Sequence, residues 1–172
     1  MSDMSKWDHK DEWHQHGKDF LVVVKRYAVS PSSFGRHEGL HRWAVYAYVY
    51  PKHRLFGNFC GPSMWQPAAA ALPLHGGPSL LRWHYNDDLK PTSVQIGADY
   101  DHLYDTHFNS YATADDACEV FDDAERLFDH LAESGEALAV GDLANLIANG
   151  RKAWADVPDA NQWVEEQRCL TT

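Results

Sequence analysis

The chain has 172 residues, of which 44% are hydrophobic and 13% aromatic, and its formal net charge at pH 7 is −10. This length and composition predict one folded domain that needs no disulfide or metal for its core, and they exclude wholesale disorder. The negative charge opposes binding to bare nucleic acid through bulk charge.

The first 17 residues are polar and predict a flexible tail. Four later segments have the composition of β-strands, namely residues 20–29, 42–50, 80–85 and 92–100. The second of them is apolar or aromatic on both faces, which predicts a central position in the sheet. Leu81, Trp83 and Tyr85 alternate with polar residues and are expected to face the core. Residues 86–91 predict a hairpin turn between the last two strands.

Helical patterns follow the strands and one short helix interrupts them. Residues 63–72 predict that short helix, in which Pro67 is tolerated only in the first turn. Residues 113–134 have apolar side chains at spacings of three and four, with Thr113 as an N-cap and Gly135 as a stop. Residues 137–172 predict a C-terminal helical appendix.

The element order predicts an α+β fold in which one long amphipathic helix packs across an antiparallel sheet. We expect about four strands, arranged as two pairs, within an α+β domain that spans residues 18–136. The three cysteines are widely spaced and form no C-x-x-C pair, so neither a disulfide framework nor a zinc ribbon is predicted. With no apolar run of about 20 residues, we expect a cytoplasmic protein, and we expect it to need no cofactor.

The negative charge is concentrated in one window. Residues 97–136 contain twelve acidic residues and one basic residue, a net charge of −11, whereas residues 1–96 have a net charge of +3. Carboxylates on the long helix must face water, because burying them unpaired is very costly. They predict either a merely solvated face or a surface that binds a basic partner. The predicted partner-binding residues are Asp115, Asp116, Glu119, Asp122, Asp123, Asp129 and Glu133.

A second cluster combines histidines with carboxylates in a short segment. Its members are Asp99, Asp101, His102, Asp105 and His107. Imidazole nitrogens and carboxylate oxygens bind divalent cations, and His75 and His84 could add ligands if the loops meet. The spacing matches neither H-E-x-x-H nor an EF-hand loop, so hydrogen bonds to the turn backbone are the simpler explanation.

Two further patterns have simple structural explanations. Gly76 and Gly77 could expose backbone N–H groups to an anion, although a sharp turn explains them as well. Aromatic residues could stack nucleic-acid bases on the sheet, but aromatic side chains in strands usually form cross-strand pairs. They are Trp43, Tyr46, Tyr48, Tyr50, Trp65, Trp83 and Tyr85.

The segments 41–53, 73–84 and 99–105 resemble a family of uncharacterised proteins encoded by bacteriophages and prophages. They read HRWAVYAYVYPKH, PLHGGPSLLRWH and DYDHLYD, and the likeness covers about residues 18–133. The family has no assigned activity, so the resemblance implies no functional residue. Small acidic accessory proteins of phages often counter host defence, anti-CRISPR proteins among them.

The resemblance and the acidic helix together lead us to expect a non-enzymatic inhibitor. Its partner would be a host defence protein that handles nucleic acid, bound through the acidic surface. The alternative is a small metal-dependent enzyme or ligand-binding protein that uses the cluster at residues 99–107.

Overall fold

The computed structural model describes residues 8–9, 12–28 and 39–136, which form an α+β fold. The strands are β1 (Asp8–His9), β2 (Glu12–Gly17), β3 (Phe20–Ala28), β4 (His41–Val49), β5 (Leu80–Tyr85) and β6 (Pro91–Asp99). The helices are α1 (Pro67–Ala70) and α2 (Cys118–Glu136), with 3-10 turns at Phe56–Asn58 and Phe108–Ser110. All strand pairs are antiparallel, in the order β1-β2-β3-β4-β6-β5.

The four predicted strands are confirmed as β3 to β6, and each begins and ends within one residue of its predicted position. β4 pairs with β3 on one side and with β6 on the other, so its predicted central position is also confirmed. The hairpin between β5 and β6 closes where the Lys90 N–H donates to Asn86 Oδ1 at 2.8 Å. The prediction of about four strands was too low, because β1 and β2 extend the sheet beyond β3.

The second strand corrects the expectation of a flexible tail over residues 1–17. Glu12–Gly17 pairs with β3 through a tight turn in which Asp19 has a φ of 63°. Trp13 lies opposite Val24 and is 3% exposed, so the strand contributes a large side chain to the core. Residues 1–7 and 10–11 lie outside the described residues.

The long helix packs its apolar side against β2, β3 and β4. Thr113 and Asp116 cap the turn that leads into it, since each backbone N–H donates to the side-chain oxygen of the other residue. α2 itself begins at Cys118, five residues after the predicted N-cap. The helices predicted over residues 137–172 lie outside the described residues. Within those that are described, no helix has the length and apolar composition needed to cross a bilayer.

The predicted short helix and the predicted face of β5 need smaller corrections. α1 is only four residues long, and Pro67 is its first residue, where the missing N–H costs nothing. Leu81 and Trp83 pack against the core as expected, but Tyr85 is 56% exposed. The register of β5 shifts between His84 and Tyr85, which explains why the alternation fails there.

Buried His53 makes the fold sensitive to acid. Its Nδ1 accepts a hydrogen bond from the Leu55 N–H at 3.2 Å, and its Nε2 lies 3.1 Å from the Leu131 carbonyl oxygen. One nitrogen accepts and the other donates, so the ring is neutral. Burial lowers the pKa of His53, against the raising effects of the Leu131 hydrogen bond and of Asp19. Nearby Arg54 lowers the pKa further.

We expect the stability that His53 contributes to be fully present above the unfolded-state pKa of about 6.5 and to fall as the pH drops towards the lower folded-state pKa. The loss should not exceed about 1.4 kcal/mol per pH unit. Urea unfolding at about pH 7.5 and about pH 5.5 should show a larger drop in unfolding free energy for the wild type than for His53→Gln. If the unfolding free energy dropped equally in the wild type and in His53→Gln, the acid sensitivity would belong to other groups.

Candidate functional site

The outward side of α2 and the turn before it form an acidic face, which we define by six exposed residues. They are Asp115, Asp116, Glu119, Asp122, Asp129 and Glu133. The four on the helix follow one another at spacings of three, seven and four, which places them on one side of it. The opposite side carries Phe121, Leu127 and Leu131, all completely buried.

Half of the acidic face has no ion pair with the protein's own cations within the described residues. Within the described part of the chain, Asp115, Asp129 and Glu133 form no ion pair, and Glu119 lies 3.9 Å from His107 Nε2. Asp116 is engaged within the turn before α2, because its carboxylate accepts hydrogen bonds from the backbone N–H and the hydroxyl of Thr113. The acidic face therefore presents several carboxylates to solvent.

Asp123 was predicted to belong to the partner-binding set, but the structure places it differently. Its carboxylate is half-buried, pairs with Arg126 and accepts the Tyr100 hydroxyl hydrogen at 2.7 Å. Burial raises the pKa of the Tyr100 phenol, which therefore stays protonated and remains a donor. Asp123 thus ties α2 to the end of β6 rather than facing a partner.

A histidine–aspartate cluster lies beside Asp123, in the two loops that follow α1 and β6. His75 Nε2 is 3.0 and 2.9 Å from the two carboxylate oxygens of Asp105, and His102 Nδ1 is 2.8 Å from Oδ2 of the same residue. Burial alone would raise the pKa of Asp105, but the hydrogen bonds from His75 and His102 outweigh it and hold that pKa below its ordinary value. Asp105 is therefore ionised, and both histidines donate to it.

Aromatic packing and backbone hydrogen bonds fix this cluster. The His75 ring stacks on Tyr100 at a centroid distance of 4.4 Å and an interplanar angle of 13°, and it meets Phe108 edge-on at 5.5 Å. The His102 N–H donates to the Asp105 carboxylate at 3.1 Å, and the Asp105 N–H donates to the His102 carbonyl at 2.9 Å. The loop between β6 and α2 therefore holds Asp105 between the two rings.

Neither the family models, nor the curated proteins, nor the solved structures contain a match to this chain. The acidic face and the histidine–aspartate cluster are the two features of the described residues that indicate a function.

The predicted cluster at residues 99–107 converges only in part. His102 and Asp105 come together, and His75 joins them from the other loop. The Asp99 carboxylate instead accepts a hydrogen bond from the Ser79 hydroxyl at 2.9 Å. The remaining candidates also lie apart. Asp101 is 3.4 Å from Arg42 Nε, and the His107 ring packs at a tilt against Phe108. His84 Nε2 is 2.9 Å from Gln95 Oε1.

The predicted aromatic group does not form one surface. Trp43 is completely buried and donates its indole N–H to the Tyr111 carbonyl at 3.0 Å. Tyr46 and Tyr48 lie half-buried on the side of the sheet opposite α2, whereas Trp65 is 73% exposed. A stacking platform built from the whole group is therefore ruled out.

A cavity of about 300 Å³ lies between the β2–β3 turn, the segment after β4 and α2. Lys18, Lys52 and Arg54 line it together with Asp19 and His53. Both ring nitrogens of His53 are already hydrogen-bonded, so the cavity lacks a free imidazole ligand. Its cations would favour an anion, and the histidine–aspartate cluster is the better candidate for a metal.

Proposed function

We propose that this protein binds and blocks a basic surface on another protein, with the acidic face of α2 as the docking surface. The observation that carries the proposal is that Asp129 and Glu133 are exposed on the side of α2 opposite its buried stripe. Like Asp115 in the turn before the helix, they form no ion pair within the described residues. Like charges at these spacings slightly destabilise a helix, so the acidic face lowers the stability of the free protein. A cationic partner would turn that repulsion into attraction.

The chemistry of the face favours a partner that handles nucleic acid. Such proteins carry grooves lined with Lys and Arg that neutralise phosphates, and a row of carboxylates can occupy the same groove. The resemblance of segments 41–53, 73–84 and 99–105 to phage and prophage proteins supports a host defence protein, including a CRISPR complex, as the target. Binding alone would inhibit such a target, so the proposal requires no reaction.

The charge-reversal variant Asp129→Lys/Glu133→Lys tests the proposal. Glu133 lies in the last turn of α2, where the helix dipole disfavours anions, and replacing both carboxylates removes their mutual repulsion. The lysines should therefore leave the melting temperature unchanged or higher. Facing a basic partner, they should instead weaken binding about 100-fold or more, because like charges brought together cost several kcal/mol. Tagged wild type and variant would be used to recover partners from host cells, and the dissociation constant of the recovered partner would then be measured.

A matched control uses the exposed turn between β5 and β6. Asp87→Lys/Asp88→Lys changes the net charge by the same amount at residues outside the acidic face. It should bind as the wild type does, and wild-type binding should weaken as salt is raised from about 0.1 M to about 1 M. Binding that resists salt, or that both double variants weaken equally, would contradict the proposal.

A further inference from the structure

We infer that His75, His102 and Asp105 form a binding site for one divalent transition-metal ion, of which Zn²⁺ is the best-suited example. One ligand atom from each residue lies within 4.8 Å of the other two, and this is the only such group of His, Cys, Asp and Glu within residues 8–9, 12–28 and 39–136. The site is separate from the acidic face and does not depend on the proposed function.

The distances suit an ion with nitrogen and oxygen ligands. Zn²⁺ binds imidazole nitrogen and carboxylate oxygen at about 2.0–2.2 Å, which puts the ligand atoms of a tetrahedral site about 3.3 Å apart. His75 and His102 now approach the Asp105 oxygens to 2.9 and 2.8 Å. Each histidine–Asp105 distance would therefore lengthen by only a few tenths of an ångström while the ion replaces the two N–H hydrogens. The ligand atoms of His75 and His102, now within 4.8 Å of each other, would adjust to the same separation. Two imidazoles and one carboxylate favour Zn²⁺, Co²⁺ or Ni²⁺ over Mg²⁺ or Ca²⁺.

Asp123 supplies the outer partner that metal-binding histidines usually have. When His75 binds an ion through Nε2, its neutral ring carries the hydrogen on Nδ1. That atom lies 3.8 Å from Asp123 Oδ2, so a small shift completes a hydrogen bond. The Tyr100 hydroxyl holds Asp123 in place, and the Tyr100 ring stacks on His75 and fixes its plane.

The surroundings leave space for the second histidine and for solvent. Gly76 has a φ of 64° and lies against the His102 ring, where a Cβ atom would come within 2.8 Å of Cε1. The His102 side chain is 42% exposed, so the site opens to water on that side. Three protein ligands with one open position are the arrangement of catalytic rather than structural zinc sites.

Cobalt spectroscopy and zinc calorimetry test the inference. Wild-type protein should bind one Co²⁺ with the intense visible absorption of a tetrahedral site, and one Zn²⁺ should displace it. His102→Gln and Asp105→Asn should each lower the Zn²⁺ affinity about 100-fold or more. Asp123→Asn should lower it by about 10–100-fold, the range typical of outer partners. His102 is exposed enough for its variant to fold, which circular dichroism would check.

Controls separate this site from adventitious binding elsewhere on the chain. His107→Gln removes an exposed histidine of the same loop, and His14→Gln/His16→Gln removes two neighbouring histidines of β2. A Cys60→Ser/Cys118→Ser background removes the two thiols that are exposed within the described residues. All three should retain wild-type affinity. The inference is overturned if wild type binds no ion, if His102→Gln and Asp105→Asn bind as wild type does, or if a control variant loses the ion.

Discussion

Replacement of Trp13 with alanine is expected to lower the free energy of unfolding by about 3–5 kcal/mol, the usual cost of removing a large aromatic side chain from a core. Trp13 stacks on Trp43 at a centroid distance of 5.6 Å and meets Phe121 edge-on at 5.4 Å. Its truncation would therefore leave a cavity where β2, β4 and α2 meet. Urea unfolding followed by circular dichroism avoids the change in tryptophan fluorescence that the substitution itself causes.

Trp65→Ala is the matched control, because it removes the same side chain from a position that is 73% exposed. Its free energy of unfolding should stay within about 0.5 kcal/mol of the wild type. A similarly small effect for Trp13→Ala would mean that residues 12–17 do not pack in solution, as the flexible-tail prediction had it.

β2 shows why part of the sheet escaped prediction. Glu12, His14 and His16 lie on the side of the sheet opposite α2, so the strand is polar wherever it does not touch the core. Only Trp13 signals burial, and one apolar residue in six does not establish a period of two. A usable signal was present in the turn, since Gly17 and Asp19 are residues that tight hairpins favour. β3 to β6 were found because each carries several apolar or aromatic residues, in continuous runs in β3 and β4 and in alternation in β5 and β6.

The histidine–aspartate cluster was predictable only where its members are local. His102 and Asp105 are three residues apart in one loop, so their proximity follows from the sequence. His75 is 30 residues from Asp105, and Asp123 comes from α2, so only the folded chain reveals that they meet. Asp99 and Asp101 carry the same chemistry as Asp105, but Ser79 and Arg42 engage them, and nothing in residue spacing distinguishes these outcomes.

The acidic face follows from the sequence for a more general reason. An amphipathic helix with a continuous apolar stripe leaves only one side for its carboxylates, so their exposure is fixed once the stripe is identified. Asp123 departs from this rule because it lies at the edge of the stripe, within reach of Tyr100. Position around the helix therefore separates residues available to a partner from those used within the fold.

Gly97→Ala is expected to lower the free energy of unfolding by about 3 kcal/mol, at the upper end for overpacking a core. Gly97 lies in β6, paired with Tyr46 on one side and with Leu80 on the other. A Cβ atom there would overlap both the Tyr46 ring and the Val45 carbonyl oxygen. The ring could turn away, but the carbonyl belongs to β4 and can move only with that strand.

Gly57→Ala provides the contrast, because a Cβ at Gly57 would meet nothing within 4 Å. That variant should be as stable as the wild type or up to about 1 kcal/mol more stable, since alanine restricts the unfolded chain. A Tyr46→Ala background identifies the obstacle at Gly97. If the ring alone opposed the methyl group, Gly97→Ala would become nearly neutral in that background. Because the Val45 carbonyl remains, we expect most of the loss to persist, and full recovery would show that the two strands can separate to admit a side chain.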